Sequence, residues 1–268
     1  MSLLKAGVVG AEGKMGLAIL SLLINSNEFK VVGATELSGN PTVGKDIGVL
    51  TAGAEQGILV KENFEDAFKD ADGIIDFSSP ASTLQTAEYA AKNCKALVIG
   101  TTGFSDKQKK SLLKLAQSFP CVFSPNMSVG VNVMFEMSKK LTELLGNDFD
   151  IEILEVHHRN KKDSPSGTAL KIAEVVSQAL NKNLSDIAVY SRHGNIGKRK
   201  KGEIGIQTLR GGDVVGEHSL IFYGDGERIE FTHKASSRDT FASGAIRALK
   251  WVSDRPAGLY SMKDVLGF

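Results

Sequence analysis

The stretch "LLKAGVVGAEGKMGLAIL" (3–20) constrains this chain more than any other. An apolar run of strand length, 3–10, gives way at Gly10, Gly13 and Gly16 to an amphipathic period over 14–25. Residues without side chains let a strand turn sharply into a helix. Backbone N–H groups and the helix N-terminus then converge where a pyrophosphate would sit. The spacing is G-x-x-G-x-x-G, one residue longer than the commonest dinucleotide fingerprint. Glycines alone serve any tight turn; the strand before them and the helix after them are what point to a nucleotide.

The alternation continues through "FKVVGAT" (29–35), "GIIDFS" (73–78), "ALVIG" (96–100) and "PCVFS" (120–124), with helical periods at 80–92 and 105–117. Pro80 suits a first helical position, with Ser79 as its cap. Unbroken apolar strands separated by helices predict a parallel sheet covered on both faces. After "SPNMSVGVN" (124–132) the pattern changes. A helix is expected over 130–145, a strand at "DIEILEV" and a helix over 166–180. Three runs then follow at hairpin spacing: "GEIGIQTLR", "GEHSLIFYG" and "ERIEFTHKA". Their links, "GGD" and "GDGE", suit antiparallel turns. A last amphipathic helix, about 239–253, can return to the first domain. The expected fold is α/β: a Rossmann-like doubly wound parallel-sheet domain over 1–126 and 238–268. An α+β domain with a mixed or antiparallel sheet, 127–237, is inserted in it. The basic, glycine-rich loop 191–202 is expected to be mobile.

The net charge of +1 gives no general case for nucleic acid or an acidic membrane. No run approaches the roughly 20 apolar residues of a membrane helix. The chain enters a strand pattern at once, so no signal peptide is expected. Cys94 and Cys121 have neither metal-site nor redox spacing. A reduced cytoplasmic protein without a metal is the expectation.

A nucleotide site of this type requires an acidic residue near the end of the second strand to bind the ribose diol, and Glu36, 20 positions after Gly16, meets that need. Leu37 follows it, and the nearest following cation is Lys45. A 2′-phosphate would find little there and would be repelled by Glu36, so NADH is expected over NADPH; Lys14 is the one feature that argues the other way. Gly100, Thr101 and Thr102 close a later strand at the edge where ligands bind, although Ser105 capping the next helix explains the same residues. Residues 124–132 offer small side chains and amides for a nicotinamide ring, or serve as a linker.

The segment "EVHHRNKKDSPSGTALKIAEVV" (155–176) gathers His157, His158, Arg159, Lys161 and Lys162 before a helix start. In strand alternation His157 shares a face with Ile151, Ile153 and Glu155, while His158 points the other way. Both serve one site only if the strand ends there. Histidine exchanges protons near neutral pH, lysine supplies positive charge, and a helix N-terminus at "SPSGTA" attracts a carboxylate. A solvated basic turn before a capped helix is the plain alternative. His193 belongs to the basic loop, and His218 and His233 are expected to be structural. Zinc, Walker-type and nucleophile-elbow spacings do not occur.

The ordered set "GAEGKMG", "IDFSSP", "VIGTTGF", "SPNMSVGVN", "EVHHRNKKDSPSGTAL", "GEIGIQTLRGGDVVGEH" and "HKASSRDTFASGAIRA" resembles the dihydrodipicolinate reductase family along essentially the whole chain. The resemblance implies NAD(P)H-dependent reduction of 4-hydroxy-tetrahydrodipicolinate to tetrahydrodipicolinate, in the diaminopimelate route to lysine. It implies that His157 and Lys161 are catalytic, and that His158, Gly167 and Thr168 contact a small dicarboxylate substrate. It gives nucleotide contacts to Gly10, Ala11, Glu12, Gly13, Lys14, Met15 and Glu36, to Gly100, Thr101 and Thr102, and to Ser124, Pro125, Asn126 and Met127. A homotetramer assembled through the 127–237 sheet also follows from it, and the two-domain arrangement suggests closure about hinges near 126–130 and 235–239. Leu37 departs from members that carry an arginine suited to NADPH. Another amino-acid or semialdehyde dehydrogenase of this architecture, or a non-catalytic NADH sensor, would have no reason to carry the H-H-x-x-K and P-S-G-T pair.

Overall fold

The computed structural model describes residues 2–268. Its contacts divide the described residues into two compact units, 2–129 with 238–268, and 130–237. In chain order the first unit begins β1 (Leu4–Val9), α1 (Lys14–Ile24), β2 (Phe29–Thr35), α2 (Ile47–Leu50), β3 (Val60–Lys61) and α3 (Phe64–Phe68). It continues with β4 (Gly73–Asp76), α4 (Pro80–Asn93), β5 (Ala96–Ile99), α5 (Asp106–Leu115) and β6 (Pro120–Phe123). The second unit holds most of α6 (Val129–Leu145), then β7 (Asp150–His157), α7 (Gly167–Ala179), α8 (Leu184–Ile187) and β8 (Ala188–Val189). Its last strands are β9 (Ile204–Arg210), β10 (Gly216–Gly224) and β11 (Glu227–Ala235). The chain then completes the first unit with α9 (Asp239–Val252), β12 (Gly258–Tyr260) and α10 (Met262–Leu266).

The first unit is a seven-stranded sheet in the order β12-β6-β5-β4-β1-β2-β3, with every pairing parallel. Strand order reverses beside β1, so the turn after β1 opens at the switch point where such sheets bind ligands. The apolar runs read as buried strands because helices cover both faces. All four residues of β4 and of β5 are buried. On one face α1 and α9 set Ile19, Leu20 and Leu23 with Ala245, Ala248 and Leu249 into one core. These positions recur at helical spacing, giving each helix one apolar stripe. On the other face Phe68, Tyr89, Leu112 and Phe119 form a second core. The Ser79 side chain caps α4 by accepting the Ser82 N–H, with Pro80 in its first turn. The short elements α2, β3, α3, β12 and α10 carry too few periodic positions to be read from sequence.

The second unit is a five-stranded mixed sheet, order β11-β10-β7-β9-β8. "GDGE" does make the β10–β11 hairpin, with Gly216 opposite Ala235 and Gly224 opposite Glu227. The "GGD" link does not. β7 inserts between β9 and β10, pairing parallel with β9 and antiparallel with β10. β7 occupies the centre of the sheet, where one face packs on Met134, Ala169, Ile172 and Val176. The loop expected to be mobile is tethered at two points. Arg192 binds Glu152 through two donors at 2.8 and 2.9 Å, and Arg199 donates to Glu152 at 3.2 Å and to Asp150 at 2.6 Å.

Candidate active site

The glycine turn of the first unit is built as its spacing requires. Gly10 takes φ +79°, a left-handed conformation that glycine adopts without penalty. A Cβ at Gly16 would lie 1.9 Å from the Gly10 carbonyl oxygen, so this helix residue packs directly on the turn. Gly13 caps α1 with no side chain on the first-turn N–H groups, which leaves them for an anion. Glu36 leaves the end of β2 and braces the turn. Its Oε1 accepts the Glu12 N–H at 2.9 Å, and its Oε2 accepts the Leu37 N–H at 3.2 Å.

A cavity of about 500 Å³ lies here, lined by Gly10, Gly13, Glu36, Leu37, Glu62 and Ser78 among others. Among the described lining residues the ionisable side chains are Glu36 and Glu62, with no lysine or arginine. Of the other expected contacts, Ala11 is buried, Glu12 and Lys14 are exposed, and Met15 packs against the core. Gly100, Thr101 and Thr102 do not line this cavity. Thr101 is buried and its hydroxyl accepts from Thr83 at 2.8 Å, while Ser105 forms a capping box with Gln108. Ser124, Pro125, Asn126 and Met127 do not line it either. Ser124 donates to the Asn126 carbonyl at 2.8 Å, and Met127 is buried. Beneath the cavity, fully buried Asp76 accepts from the Ser78 N–H at 2.9 Å and the Ser78 hydroxyl at 2.6 Å. Burial pushes its carboxyl above the usual range, with the Ser78 bonds acting in the opposite sense.

In the second unit, the inward face of β7 changes character along its length. Ile151 and Ile153 join the apolar core, and the next inward positions are Glu155 and His157. The Glu155 carboxylate is fully buried. It accepts from His157 Nδ1 at 2.5 Å, Arg210 at 2.8 and 3.0 Å, the Ser166 N–H at 2.9 Å and the Thr208 hydroxyl at 3.2 Å. Burial alone would raise its pKa, but Arg210, His157 and the Ser166 N–H outweigh it and bring it to about 2. His157 is itself held below its ordinary value. Burial is the largest cause, helped by the charges of Lys161 and Arg210 and opposed by Glu155.

His218 stands on the rung opposite Glu155, its ring 5.1 Å from that of His157 in an edge arrangement. Its Nε2 lies 3.1 Å from the hydroxyl of Ser166, which also caps α7 by accepting the Ala169 N–H at 3.2 Å. Burial, then the nearby His157, lowers His218 to about 4. The strand ends at His157, as a shared site for both histidines requires. His158 begins the turn, donating its N–H to Val214 at 2.8 Å, and its side-chain Nδ1 is buried without a partner. Lys161 sits on this turn with its ammonium 2.9 Å from Asp163. That ammonium is the main cause of a lowered Asp163 pKa. Gly167 and Thr168 form the first turn of α7, directly after the Ser166 cap.

Sequence reasoning placed His157, Lys161 and the α7 start in one segment but missed the groups that organise them. Glu155 was visible only as a carboxylate at an inward strand position. Arg210 and Thr208 reach it, and His218 stands on its rung, across strand pairings that no local pattern encodes. Among the described residues no group of three His, Cys, Asp or Glu side chains is placed to hold a metal, and no helix is long and apolar enough to cross a membrane.

A glycine turn at the switch point of a parallel sheet, with a buried carboxylate–imidazole pair in an inserted domain, defines an oxidoreductase of the Rossmann class. The family model described as dihydrodipicolinate reductase, N-terminus, matches residues 4–127, and its C-terminal counterpart matches residues 130–266. The chain belongs to the dihydrodipicolinate reductase family, whose members use a nicotinamide cofactor. It is 51% identical to the 4-hydroxy-tetrahydrodipicolinate reductase of Syntrophus aciditrophicus (strain SB), with 99% of each chain covered. The enzyme of that name from Desulfotalea psychrophila is 50% identical, with 98% of each covered. The dipicolinate-bound dihydrodipicolinate reductase from Paenisporosarcina sp. TG-14 shares the fold with a TM-score of 0.77 at 23% identity, over 97% of this chain and 98% of that one.

Proposed function

We propose that this protein reduces 4-hydroxy-tetrahydrodipicolinate to tetrahydrodipicolinate with a reduced nicotinamide dinucleotide, in the diaminopimelate route to lysine. The observation that carries the site reading is the Glu155–His157 pair at the end of β7, one turn from Lys161 and beside the capped start of α7. The turn after β1 fits the cofactor, since its first-turn N–H groups are uncapped and Glu36 stands ready for a ribose diol. Loss of the 4-hydroxyl as water from the substrate gives the conjugated imine, to which the bound cofactor would supply hydride.

The chain's own residues do the rest. The N-terminus of α7, with Gly167 and Thr168, holds one substrate carboxylate, and Lys161 and His158 attract the other. Glu155 fixes the His157 ring through Nδ1 and stabilises positive charge on it. His157 or Lys161 then delivers a proton to the carbon left electron-rich by hydride addition. Gly10 to Met15 and Glu36 hold the dinucleotide, with Gly100 to Thr102 and Ser124 to Met127 toward its nicotinamide end. Hinges near 126–130 and 235–239 let the two ligands meet.

NADH is the proposed preferred cofactor and NADPH a permitted one, because among the described residues two carboxylates and no cation line the cavity beside Leu37. We also propose a cytoplasmic homotetramer joined through the second unit's sheet, with neither nucleic acid nor membrane as partner; light scattering in solution tests the subunit number. The decisive assay generates the substrate in situ with the preceding synthase and follows oxidation of each cofactor. No oxidation of either one refutes the activity.

A further inference from the structure

We propose that Glu62 is a second cofactor-selecting residue. It anchors the loop after β2 and repels a phosphate on the ribose 2′-oxygen. The inference rests on the nucleotide-site reading above and goes beyond it by naming a residue outside the glycine fingerprint.

Three observations converge on it. The parallel register of β2 and β3 pairs Thr35 with Lys61, and the Glu36 N–H donates to the Lys61 carbonyl at 3.0 Å. Glu36 and Glu62, each one residue later, therefore leave adjacent strand ends side by side. Next, Glu62 grips the segment that follows Glu36. Its Oε2 accepts the Ser38 hydroxyl at 3.0 Å, and its Oε1 accepts the Gly39 N–H at 3.0 Å. Finally, Glu36, Leu37, Ser38 and Glu62 all line the same cavity, to which no cation contributes among the described residues.

A carboxylate in this place does two separable things. As a hydrogen-bond acceptor it holds Ser38 and Gly39, and so shapes the ribose end of the cavity for either cofactor. As a charge it adds to Glu36 and opposes a 2′-phosphate, which brings roughly −1.5 to −2 more charge. A ribose hydroxyl feels only the first effect. Discrimination against NADPH through charge is also screened by salt, over a length of about 10 Å at 0.1 M.

Glu62→Gln keeps an acceptor for the loop and removes the charge; Ser38→Ala keeps the charge and removes one loop contact. Steady-state constants for both cofactors are measured for each variant and the parent, at low and high salt. For Glu62→Gln the ratio of kcat/KM for NADPH to that for NADH should rise about tenfold, which is about 1.4 kcal/mol. The salt dependence of that ratio should flatten. Ser38→Ala should raise KM for both cofactors together and leave the ratio in place. Because each ratio is taken within one preparation, a partly unfolded sample does not disturb it. A ratio for Glu62→Gln within twofold of the parent overturns the proposal. A parent enzyme that itself favours NADPH refutes the NADH preference instead, and the change on removing the Glu62 charge is still read directly.

Discussion

Replacing Glu155 by glutamine tests the central electrostatic arrangement. The substitution preserves shape and an acceptor for the Ser166 N–H, but removes the anion shared by His157 and Arg210. Taking one partner from a buried ion pair costs about 3–5 kcal/mol. Arg210 is a fifth exposed and can partly rehydrate, so about 2–4 kcal/mol is the better expectation here. For a chain of this size each kcal/mol lowers Tm by about 2–4 °C, giving a fall of roughly 4–16 °C. The functional effect is separate. A unit charge about 4 Å away at an effective dielectric of 20 is worth about 4 kcal/mol, so losing it should lower the His157 pKa further. The alkaline limb of kcat/KM against pH, where a proton donor is lost, should move to lower pH, and turnover near neutral pH should fall as the protonated imidazole becomes scarce. Arg210→Gln provides a control of opposite sign. It removes a positive charge that depresses His157 and should move the same limb upward. Circular dichroism establishes that each variant is folded before the profile is taken. Folded Glu155→Gln enzyme with the parental pH profile and turnover would refute the assignment of Glu155 as the group that poises His157.

His157→Gln and Lys161→Ala should each lower kcat by about 100-fold or more, read in the coupled assay; parental turnover in both removes the proton-donor roles. Gly16→Ala should weaken cofactor binding at least tenfold in fluorescence titration, because its Cβ cannot occupy a point 1.9 Å from the Gly10 oxygen; undiminished binding would mean that the turn tolerates opening. Gly167→Ala meets nothing within 4 Å, so Tm should hold while the substrate KM rises, and a changed Tm with an unchanged KM would place Gly167 outside the substrate site. Acidification should destabilise the protein in two stages measured by denaturant titration. His218 is held near 4 against an ordinary value of 6.5, so the unfolded chain takes up protons first and stability falls by about 3 kcal/mol between these pH values. The Glu155 contribution is present above its ordinary value of 4.5 and is lost as pH drops towards about 2. A stability flat from pH 7 to 4 would contradict the first stage.

The parallel domain was legible because its signals are local. Both faces of β4 and β5 are covered, so their apolar runs are unbroken, and Ser79–Pro80 marks a helix start that depends on nothing distant. The second sheet was harder for a physical reason. "GGD" has suitable turn chemistry, yet the strand that follows it pairs with β7, not with its chain neighbour β9. Turn residues state that the chain can reverse. They do not state whether a third strand will occupy the place between the two arms.

The same distinction decides how much of the candidate site a sequence discloses. His157, His158, Lys161 and the α7 cap lie within a dozen residues, so one segment announces them. Glu155 belongs to that segment too, but its meaning depends on what surrounds it. A carboxylate inside a strand is costly until cations and N–H groups converge on it. Here Arg210 arrives from 55 residues away, Thr208 from 53 and the Ser166 N–H from 11. Arg210 is the rung partner of His157 on β9, and His218 that of Glu155 on β10. The mixed pairing that the turn signals failed to specify is therefore what makes the imidazole's environment. Had β9 and β10 formed a simple hairpin, Arg210 and His218 would lie on neighbouring strands with no acid between them, and a charged histidine there would have no counter-ion.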